Sequence, residues 1–274
     1  MSRTLPFTKM HGAGNDFVML DGRDLDGPLG RGAIAALCDR RTGVGGDGLI
    51  VVGPADSAGA AFRMIYFNGD GGEAEMCGNG ARCTVAFAAD RGLAPGPGLG
   101  ACRFDTFGGV LEGRVLAPGD VEVSLPAWRD LELDLAVPES PWSAHHRCNT
   151  GVPHLVIPVP SVDAVDLATW GPRLRHAAQF APAGTNVNWI APGRDGEWLL
   201  RTYERGVEAE TLACGTGASA AAVILCHLDR ARSPVTVRTR GGDRLVVGVD
   251  RATGALRLRG PAVTSFKGEV TIDG

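Results

Sequence analysis

Two stretches of the chain repeat one another, and this duplication constrains the fold more than any other feature of the sequence. A shift of 137 residues aligns YFNGDGGEAEMCGNGA, from Tyr66, with YERGVEAETLACGTGA, from Tyr203. In each copy a strand-like pattern precedes the match and an alanine-rich helical pattern follows it. An internal duplication of this kind predicts two similar domains related by a pseudo-twofold axis, with an active-site cleft between them. The identical pairs are Tyr66/Tyr203, Gly69/Gly206, Glu73/Glu210, Cys77/Cys214, Gly78/Gly215, Gly80/Gly217 and Ala81/Ala218.

The rest of the sequence favours strands over helices. Short apolar or alternating runs, bounded by glycine, aspartate or proline, predict strands at DFVMLDG, GLIVVG, AFRMIYF, CRFDTF, GVLEGRVL, DVEVSL, HLVIPV, NVNWIA, EWLLRTYE, VTVRTR, DRLVVGVD, ALRLRG and AVTSF. This order predicts an α+β fold of two pseudo-symmetric domains, each an antiparallel sheet or barrel wrapped around a central helix. Helical patterns cover residues 31–40, 78–91, 165–178 and 215–230.

A stretch near the middle of the chain indicates where the two domains meet. PAWRDLELDLAVPESPWSAHH, residues 126–146, is rich in proline and turn residues, which is typical of a connection. We therefore predict an N-terminal domain of residues 1–122, joined by a C-terminal strand at 262–274. Residues 123–261 form the predicted C-terminal domain.

Composition and charge narrow the class of partner. Hydrophobic residues make up 44% of the 274 residues and charged residues 21%, which is ordinary for a compact globular protein. The formal charge is -4 and the sequence has no dense Lys/Arg block, so it does not predict the basic surface that binds nucleic acid or an anionic membrane. The N-terminus lacks the pattern of a secretory signal, and no run approaches the roughly 20 apolar residues of a membrane span. We therefore expect a cytoplasmic protein with a small-molecule partner.

The cysteines are an odd set of seven without a C-x-x-C pair. This fits neither a disulfide framework nor a zinc site, so we expect reduced thiols and no metal. Cys77 and Cys214 stand apart because each begins a C-G-x-G motif at the start of a predicted helix. The remaining cysteines have no such context and are predicted to pack in the core: Cys38, Cys83, Cys102, Cys148 and Cys226.

The paired motifs predict acid/base chemistry. A sulfur at a helix N-terminus lies near backbone N–H groups that have no partner within the helix, which favours the thiolate. Two such groups across one substrate would invert a carbon centre, since one removes the proton and the other returns it on the opposite face. The free N–H groups would also bind a carboxylate and stabilise the charge that develops on it. On oxidation, two facing thiols would form a disulfide, which we interpret as an inactive state.

Several polar residues have both a structural and a functional interpretation. His154, at the head of an apolar run, is either a satisfied structural histidine or a partner that tunes a nearby thiol. Glu204 and Arg205 form either a surface ion pair or a recognition pair for an amino-acid head group. Asparagines next to glycine or in short polar segments are usually turn residues, and this applies to Asn15, Asn68 and Asn186.

The chain resembles the diaminopimelate epimerase family in five motifs that follow one another in this order: KMHGAGNDF, IYFNGDGGEAEMCGNGARC, GVPHLV, GTNVNWI and YERGVEAETLACGTGA. The related proline racemases carry a histidine in their C-G-H-G motif, where this chain has Asn79. The resemblance implies interconversion of LL- and meso-diaminopimelate in lysine biosynthesis, without pyridoxal phosphate or metal. It also implies a homodimer and the α+β fold of that family.

The resemblance assigns roles to residues at matching positions. Cys77 and Cys214 become the acid and base, with Cys77 the proton donor and Cys214 the acceptor in the LL-to-meso direction. His154 and Glu204 fall where the family has residues that adjust the proton affinity of the thiols. Substrate contacts are implied for Asn15, Asn68, Asn186, Glu204 and Arg205, and for the backbone of Gly78, Asn79, Gly215 and Thr216.

Two positions depart from the better-known family pattern. Gly48 stands where some members have a substrate-contacting glutamine, and Val152 stands where many have asparagine. The segment from YERG to CG is also one residue longer than the commoner spacing. These departures leave open a racemase of the same fold for another amino acid, such as histidine. A thiol-redox or metal-binding protein that uses Cys77 and Cys214 is the alternative from a different class.

Overall fold

A computed structural model describes residues 3–74 and 77–272 of the chain. The chain divides into two compact units. Unit 1 runs to Val123 and includes the C-terminal segment from Gly260, and unit 2 runs from Ser124 to Arg259. Strands predominate over helices in the described residues, and this confirms the predicted α+β class.

The first half of the chain forms a sheet with two helical crossovers. Its strands are β1 (Arg3–Gly12), β2 (Asn15–Asp21), β3 (Gly48–Gly53), β4 (Phe62–Asn68), β5 (Cys102–Thr106), β6 (Gly109–Ala117) and β7 (Asp120–Leu125). The helices are α1 (Arg31–Cys38) and α2 (Gly78–Asp90), with a 3-10 turn at Gly22–Asp24.

The second half repeats this pattern of strands and crossovers. Its strands are β8 (Arg129–Glu132), β9 (His146–Asn149), β10 (Pro153–Pro158), β11 (Asn186–Pro192), β12 (Trp198–Glu204), β13 (Ala209–Thr211), β14 (Val235–Arg238), β15 (Arg244–Val249) and β16 (Leu256–Pro261). Its helices are α3 (Leu167–Arg175) and α4 (Gly215–His227), with a 3-10 turn at Ala178–Phe180. The last strand, β17 (Val263–Ile272), returns to unit 1 and pairs with β1.

Most neighbouring strands are antiparallel, but each unit also contains two parallel pairs. In unit 1 these are β2–β3 and β4–β5, and in unit 2 they are β10–β11 and β12–β14. Parallel neighbours need a long crossover connection, and the four helices supply it, one in each connection. The helices of this strand-rich chain are therefore explained by the parallel pairs.

The second helix of each unit is its central helix. α4 has the sequence GTGASAAAVILCH, which is apolar on all faces, and Gly215 to Cys226 are all buried. A helix without a polar face must be enclosed by other elements, and strands β9, β10, β11, β14 and β15 pack around α4. α2 is enclosed in the same way by β1, β2, β3, β4 and β6. The duplicated C-G-x-G motifs lie at the N-termini of these two helices.

Every strand predicted from the sequence forms, and the four helices lie within the predicted ranges. The structure adds β1, β8, β9 and β13, which were not predicted. β1 contains Pro6 and alternates poorly, and the other three have only three or four residues each. The predicted connection at 126–146 contains β8 and the first residue of β9.

The core of the described residues contains five of the seven cysteines as ordinary packing residues. Cys38, Cys83, Cys102, Cys148 and Cys226 are buried free thiols, as predicted. Within residues 3–74 and 77–272, no helix has the length and apolar character needed to cross a membrane.

The close approach of α2 to β6 leads to a stability prediction. A Cβ at Gly113 would lie 2.4 Å from Cγ2 of Val85, whose branched side chain is stiff in a helix. Gly113→Ala is expected to lower the free energy of unfolding by about 1–3 kcal/mol through overpacking. Gly248→Ala is the matched control, since its Cβ would lie 3.6 Å from Cβ of Arg257, an ordinary contact. Urea unfolding of both variants checks this, and equal stabilities would contradict the packing of α2 on β6.

Candidate active site

Cys77 and Cys214 are the N-cap residues of the two central helices. Both have extended backbone, with φ/ψ of -140°/110° and -126°/106°. Each sulfur accepts a hydrogen bond of 3.4 Å from the N–H three residues on, at Gly80 and Gly217 respectively. Serine, threonine, aspartate and asparagine are the usual N-cap residues, so a cysteine at both positions indicates a use for sulfur beyond capping.

In unit 1, an asparagine from β2 contacts the sulfur of Cys77. The Cys77 thiol donates to Oδ1 of Asn15 over 3.3 Å, and Nδ2 of Asn79 lies 3.5 Å from the same oxygen. Nδ2 of Asn15 donates to Oδ2 of Asp47 over 2.7 Å. Because a carboxylate only accepts, Asp47 fixes the orientation of the amide and turns its oxygen toward Cys77. The structure thus brings together Asn15, Cys77 and Asn79, all predicted site residues.

A network of ion pairs holds Asp47 in place. Arg40 donates to Oδ1 of Asp47 over 2.7 Å and binds both oxygens of Asp16 over 2.9 and 2.7 Å. Lys9, which is buried, adds an ion pair of 2.7 Å to Asp16. Burial raises the pKa of Asp16, but the hydrogen bonds from Arg40 and Lys9 outweigh it and hold the pKa well below its ordinary value. Asp16 is therefore a charged acceptor at neutral pH, and the ion pairs with Arg40 give Asp47 and Asn15 a rigid support.

A buried arginine braces the first turn of α2. The guanidinium of Arg82, fully inaccessible to solvent, donates to the carbonyl of Gly78 over 3.2 Å and to Oδ1 of Asn79 over 2.9 Å. A Cβ at Gly12 would lie 2.8 Å from the carbonyl oxygen of Asn79. The Gly78–Asn79 segment is thus held from its carbonyl side, and this fixes the peptides next to Cys77.

In unit 2, hydroxyl groups surround the first turn of α4. The sulfur of Cys214 lies 3.5 Å from Oγ1 of Thr216, and either atom can be the donor. The carbonyl of Thr216 accepts a hydrogen bond of 2.9 Å from Thr150, and that of Gly215 accepts one of 2.9 Å from Ser219. The surroundings of Cys214 therefore differ from those of Cys77, because a hydroxyl can donate to a thiolate and an amide oxygen cannot.

His154 is neutral and contacts Asn188, which approaches this turn. It is buried on β10, and its Nδ1 lies 3.1 Å from Nδ2 of Asn188 on the neighbouring strand β11. Burial, together with the positive charge of Arg205, lowers the pKa of His154 to about 3. Asn188 also approaches α4, since a Cβ at Gly217 would lie 2.4 Å from its Oδ1.

The remaining predicted residues of unit 2 lie at the ends of β11 and β12. Asn186 accepts a hydrogen bond of 2.8 Å from the N–H of Arg205 and donates one of 2.9 Å to the carbonyl of Pro153. It therefore ties the end of β12 to the start of β10. Glu204 and Arg205 are half-buried at that end of β12, next to Asn186.

Asn68 and Gly48 lie at the end of the β3–β4 pair in unit 1. Asn68 is exposed, and its Oδ1 accepts a hydrogen bond of 3.3 Å from the hydroxyl of Tyr66. A Cβ at Gly48 would lie 2.7 Å from the ring of Tyr66 and 2.4 Å from the carbonyl oxygen of Phe67. The tyrosine thus fills the space that a side chain at position 48 would need. Val152, the other departure, is half-buried in the turn between β9 and β10.

Known proteins of similar sequence share nearly the whole length of this chain. The model of the diaminopimelate epimerase family matches residues 7–125 and 147–264. The diaminopimelate epimerases of Gemmatimonas aurantiaca and Aquifex aeolicus are each 39% identical to it, over 97% of this chain and 99% and 98% of theirs. The chain belongs to the diaminopimelate epimerase family. It is accordingly an isomerase.

Solved structures of lower sequence identity share the fold of this diaminopimelate epimerase family member. A probable proline racemase from Agrobacterium radiobacter superposes with a TM-score of 0.78 at 15% identity, covering 98% of this chain and 93% of its own. At this identity the likeness concerns the fold alone. It supports the α+β architecture with its duplicated crossovers.

Three residues that support the predicted site were not predicted from the sequence of this diaminopimelate epimerase family member. Asp47 is a charged residue that follows two glycines in a loop. Asn188 is a polar residue in the apolar strand β11, two positions after Asn186. Each could have been singled out as a polar residue in a segment of different character. Arg82, in the middle of CGNGARC, had no signal of its own. Among residues 3–74 and 77–272, no group of three or more His, Cys, Asp and Glu side chains is arranged to hold a metal ion.

The neutral state of His154 predicts a pH dependence of stability. Between pH 6.5 and about 3 the unfolded chain binds a proton at this histidine and the folded chain does not, so stability falls as pH decreases through that range. In His154→Gln the slope of unfolding free energy against pH is expected to be shallower by up to ~1.4 kcal/mol per pH unit. Urea unfolding from pH 4 to 8 measures both slopes. An identical slope in the variant would contradict the neutral, buried histidine.

Proposed function

We propose that this protein interconverts LL- and meso-diaminopimelate in lysine biosynthesis, with Cys77 and Cys214 as its acid and base and without a cofactor. The observation that carries the proposal is the occurrence of a cysteine N-cap at both central helices, in two copies of one motif. The names of the related epimerases supply the substrate.

In the proposed reaction, the thiolate of Cys214 removes the α-proton of the LL substrate. The electron pair of the broken C–H bond spreads into the adjacent carboxylate, where backbone N–H groups of the two helix N-termini stabilise the added charge. The Cys77 thiol then donates its proton to the opposite face of the carbon, so that Cys77 remains as the thiolate and Cys214 as the thiol. The proposal requires that the two sulfurs reach opposite faces of one α-carbon.

The surroundings of the two sulfurs support this direction. Oδ1 of Asn15 is held toward Cys77 by Asp47, and an amide oxygen accepts a hydrogen bond only while the sulfur carries its proton. This favours Cys77 as the thiol, the proton donor. The hydroxyl of Thr216 can donate to Cys214 and thereby stabilise its thiolate.

The substrate contacts proposed from the resemblance complete the assignment. The backbone of Gly78, Asn79, Gly215 and Thr216 would hold the reacting carboxylate, and Glu204 and Arg205 suit an ammonium and a carboxylate respectively. Glu204 and His154 would adjust the proton affinity of the thiols. We also expect a cytoplasmic homodimer that acts on this small-molecule substrate. Asn15, Asn68 and Asn186 are the further proposed contacts.

A substrate panel tests the proposed function. Racemisation or epimerisation of LL-diaminopimelate is compared with that of single-centre amino acids, histidine included, in the presence of a reductant and a chelator. We expect kcat/KM for LL-diaminopimelate to exceed that for the others by about 10²-fold or more, since lost polar contacts leave buried groups unpaired. Preference for a single-centre amino acid would favour the racemase alternative. Loss of activity with reductant or chelator would favour the redox or metal alternative.

A further inference from the structure

Asn188 is a fully buried amide whose orientation is fixed by its neighbours. One of its side-chain atoms lies 3.0 Å from the carbonyl oxygen of Leu155, which can only accept, so that atom is the nitrogen. The other accepts a hydrogen bond of 2.9 Å from the hydroxyl of Thr202, as an amide oxygen does. The two contacts agree, so Nδ2 of Asn188 is the atom that faces His154.

This orientation determines which nitrogen of His154 carries the proton. Nδ2 of Asn188 donates to Nδ1 of His154 over 3.1 Å, so Nδ1 must present its lone pair. A neutral imidazole with an accepting Nδ1 carries its hydrogen on Nε2. His154 is neutral because burial and the charge of Arg205 lower its pKa to about 3. The ring is therefore a hydrogen-bond donor at Nε2.

That donor has no protein partner within residues 3–74 and 77–272. Nε2 of His154 is buried and makes no hydrogen bond there, although the residue is only 1% exposed. A buried N–H without an acceptor destabilises the folded protein, so we expect an acceptor to reach it during function. The pair lies next to the turn of Cys214, since a Cβ at Gly217 would be 2.4 Å from Oδ1 of Asn188 and 3.2 Å from the Cys214 sulfur.

We propose that Asn188 is a positioning residue that holds His154 as its neutral Nε2–H tautomer, so that His154 acts in the site as a hydrogen-bond donor to an anion. The anion is a thiolate sulfur or a carboxylate of the substrate. This role rests on the proposed function, and it makes His154 a group that adjusts proton affinity by donating a hydrogen bond. His154 does not accept the proton of a thiol at Nε2, because that nitrogen is already protonated.

The tautomer can be measured without turnover. Two-bond ¹H–¹⁵N correlation spectra of the full chain, labelled at histidine, distinguish the Nε2–H tautomer, the Nδ1–H tautomer and the imidazolium ion. We expect His154 to show the Nε2–H pattern from pH 6 to 8. A protonated Nδ1 in the wild type would overturn the proposal whether or not the protein epimerises diaminopimelate. Conversely, if the protein shows the Nε2–H pattern but is inactive toward diaminopimelate, the proposed tautomer is supported and the proposed function is contradicted.

Variants test whether Asn188 sets the tautomer. Asn188→Asp presents an acceptor to Nδ1, so His154 is expected to become protonated at Nδ1, with kcat lowered by about 10- to 100-fold. Thr202→Val is the matched control, since it removes the hydrogen bond to Oδ1 of Asn188 and leaves Nδ2 of Asn188 facing His154. His154 should keep the Nε2–H pattern in this variant. An unchanged tautomer in Asn188→Asp would overturn the proposal. If Asn188→Asp does not fold, Asn188→Leu takes its place, since leucine makes no hydrogen bond to Nδ1. A single fixed Nε2–H tautomer of His154 in Asn188→Leu would also overturn the proposal.

Two further spectra distinguish the sources of the anion. If a thiolate accepts from His154, the Nε2–H proton resonance moves in Cys77→Ala or Cys214→Ala without any ligand. If the substrate carboxylate accepts, the resonance moves only when diaminopimelate is added to such an inactive variant. A resonance that moves in neither experiment would contradict the donor role.

Discussion

Replacing either Cys77 or Cys214 with alanine is expected to lower the epimerisation rate by about 10⁴-fold. In the proposed mechanism one sulfur breaks the C–H bond and the other forms the new one, so neither can compensate for the other. The folded state should lose little, because a sulfur hydrogen-bonded to an N–H over 3.4 Å is a weak cap. Polarimetry or a coupled assay at saturating LL-diaminopimelate gives the rates.

Cys83→Ala is the matched control for these variants. Cys83 lies on the same helix as Cys77, but burial raises its pKa to about 12, so it stays a thiol and has no acid/base role. Its replacement should leave the rate within a few-fold of the wild type. A loss in Cys83→Ala as large as in Cys77→Ala would point to damage to the helix and contradict the assignment.

Gly217→Ala is expected to lower kcat by at least about 10²-fold. The added Cβ would lie 2.4 Å from Oδ1 of Asn188 and 3.2 Å from the sulfur of Cys214. Asn188 cannot move aside without giving up its bonds to Leu155 and Thr202, so the strain falls on the turn that carries the sulfur. A displacement of about 1 Å at a reacting group costs about 10²-fold in rate.

The equivalent glycine in the other repeat provides the comparison. A Cβ at Gly80 would lie 2.9 Å from Cδ1 of Ile50 and 3.2 Å from Cε of Met64, both of which are ends of flexible side chains. Gly80→Ala should therefore cost less than about tenfold in kcat, with a modest loss of stability. Steady-state kinetics and urea unfolding measure both variants. Equal losses at the two glycines would contradict the rigid Asn188 contact.

The fold class and the helix N-termini could be predicted because both depend on local sequence. Strand alternation and the all-apolar pattern of α4 reflect burial directly, and both C-G-x-G motifs of this chain lie at the start of a helix. β13, with three residues, is too short to show a period, and its pairing with β12 is what stabilises it. The parallel pairs were also missed, because pairing between strands is not a local property.

The supporting residues of the site depend on strand register, which the sequence does not specify. Asn188 reaches His154 because β10 and β11 run parallel with Val156 opposite Asn188. Asp47 meets Asn15 because β2 and β3 are parallel, with Phe17 opposite Gly48. Both contacts join residues that are more than 30 positions apart, so no local pattern predicts them. The roles of the predicted site residues stay predictions until the variants are measured.

The two-thiol mechanism is tested most directly by deuterium incorporation at the α-carbon. LL-diaminopimelate is converted in deuterated water to a small extent, and NMR measures deuterium separately in the product and in the remaining substrate. With two bases, the inverted product gains its α-hydrogen from a thiol that has exchanged with the solvent. The LL substrate that remains at low conversion still carries its original α-hydrogen. The proposed mechanism therefore predicts deuterium in the inverted product and protium in the recovered LL substrate. Product that retains the substrate's protium, or full inversion by Cys77→Ala or Cys214→Ala, would contradict it.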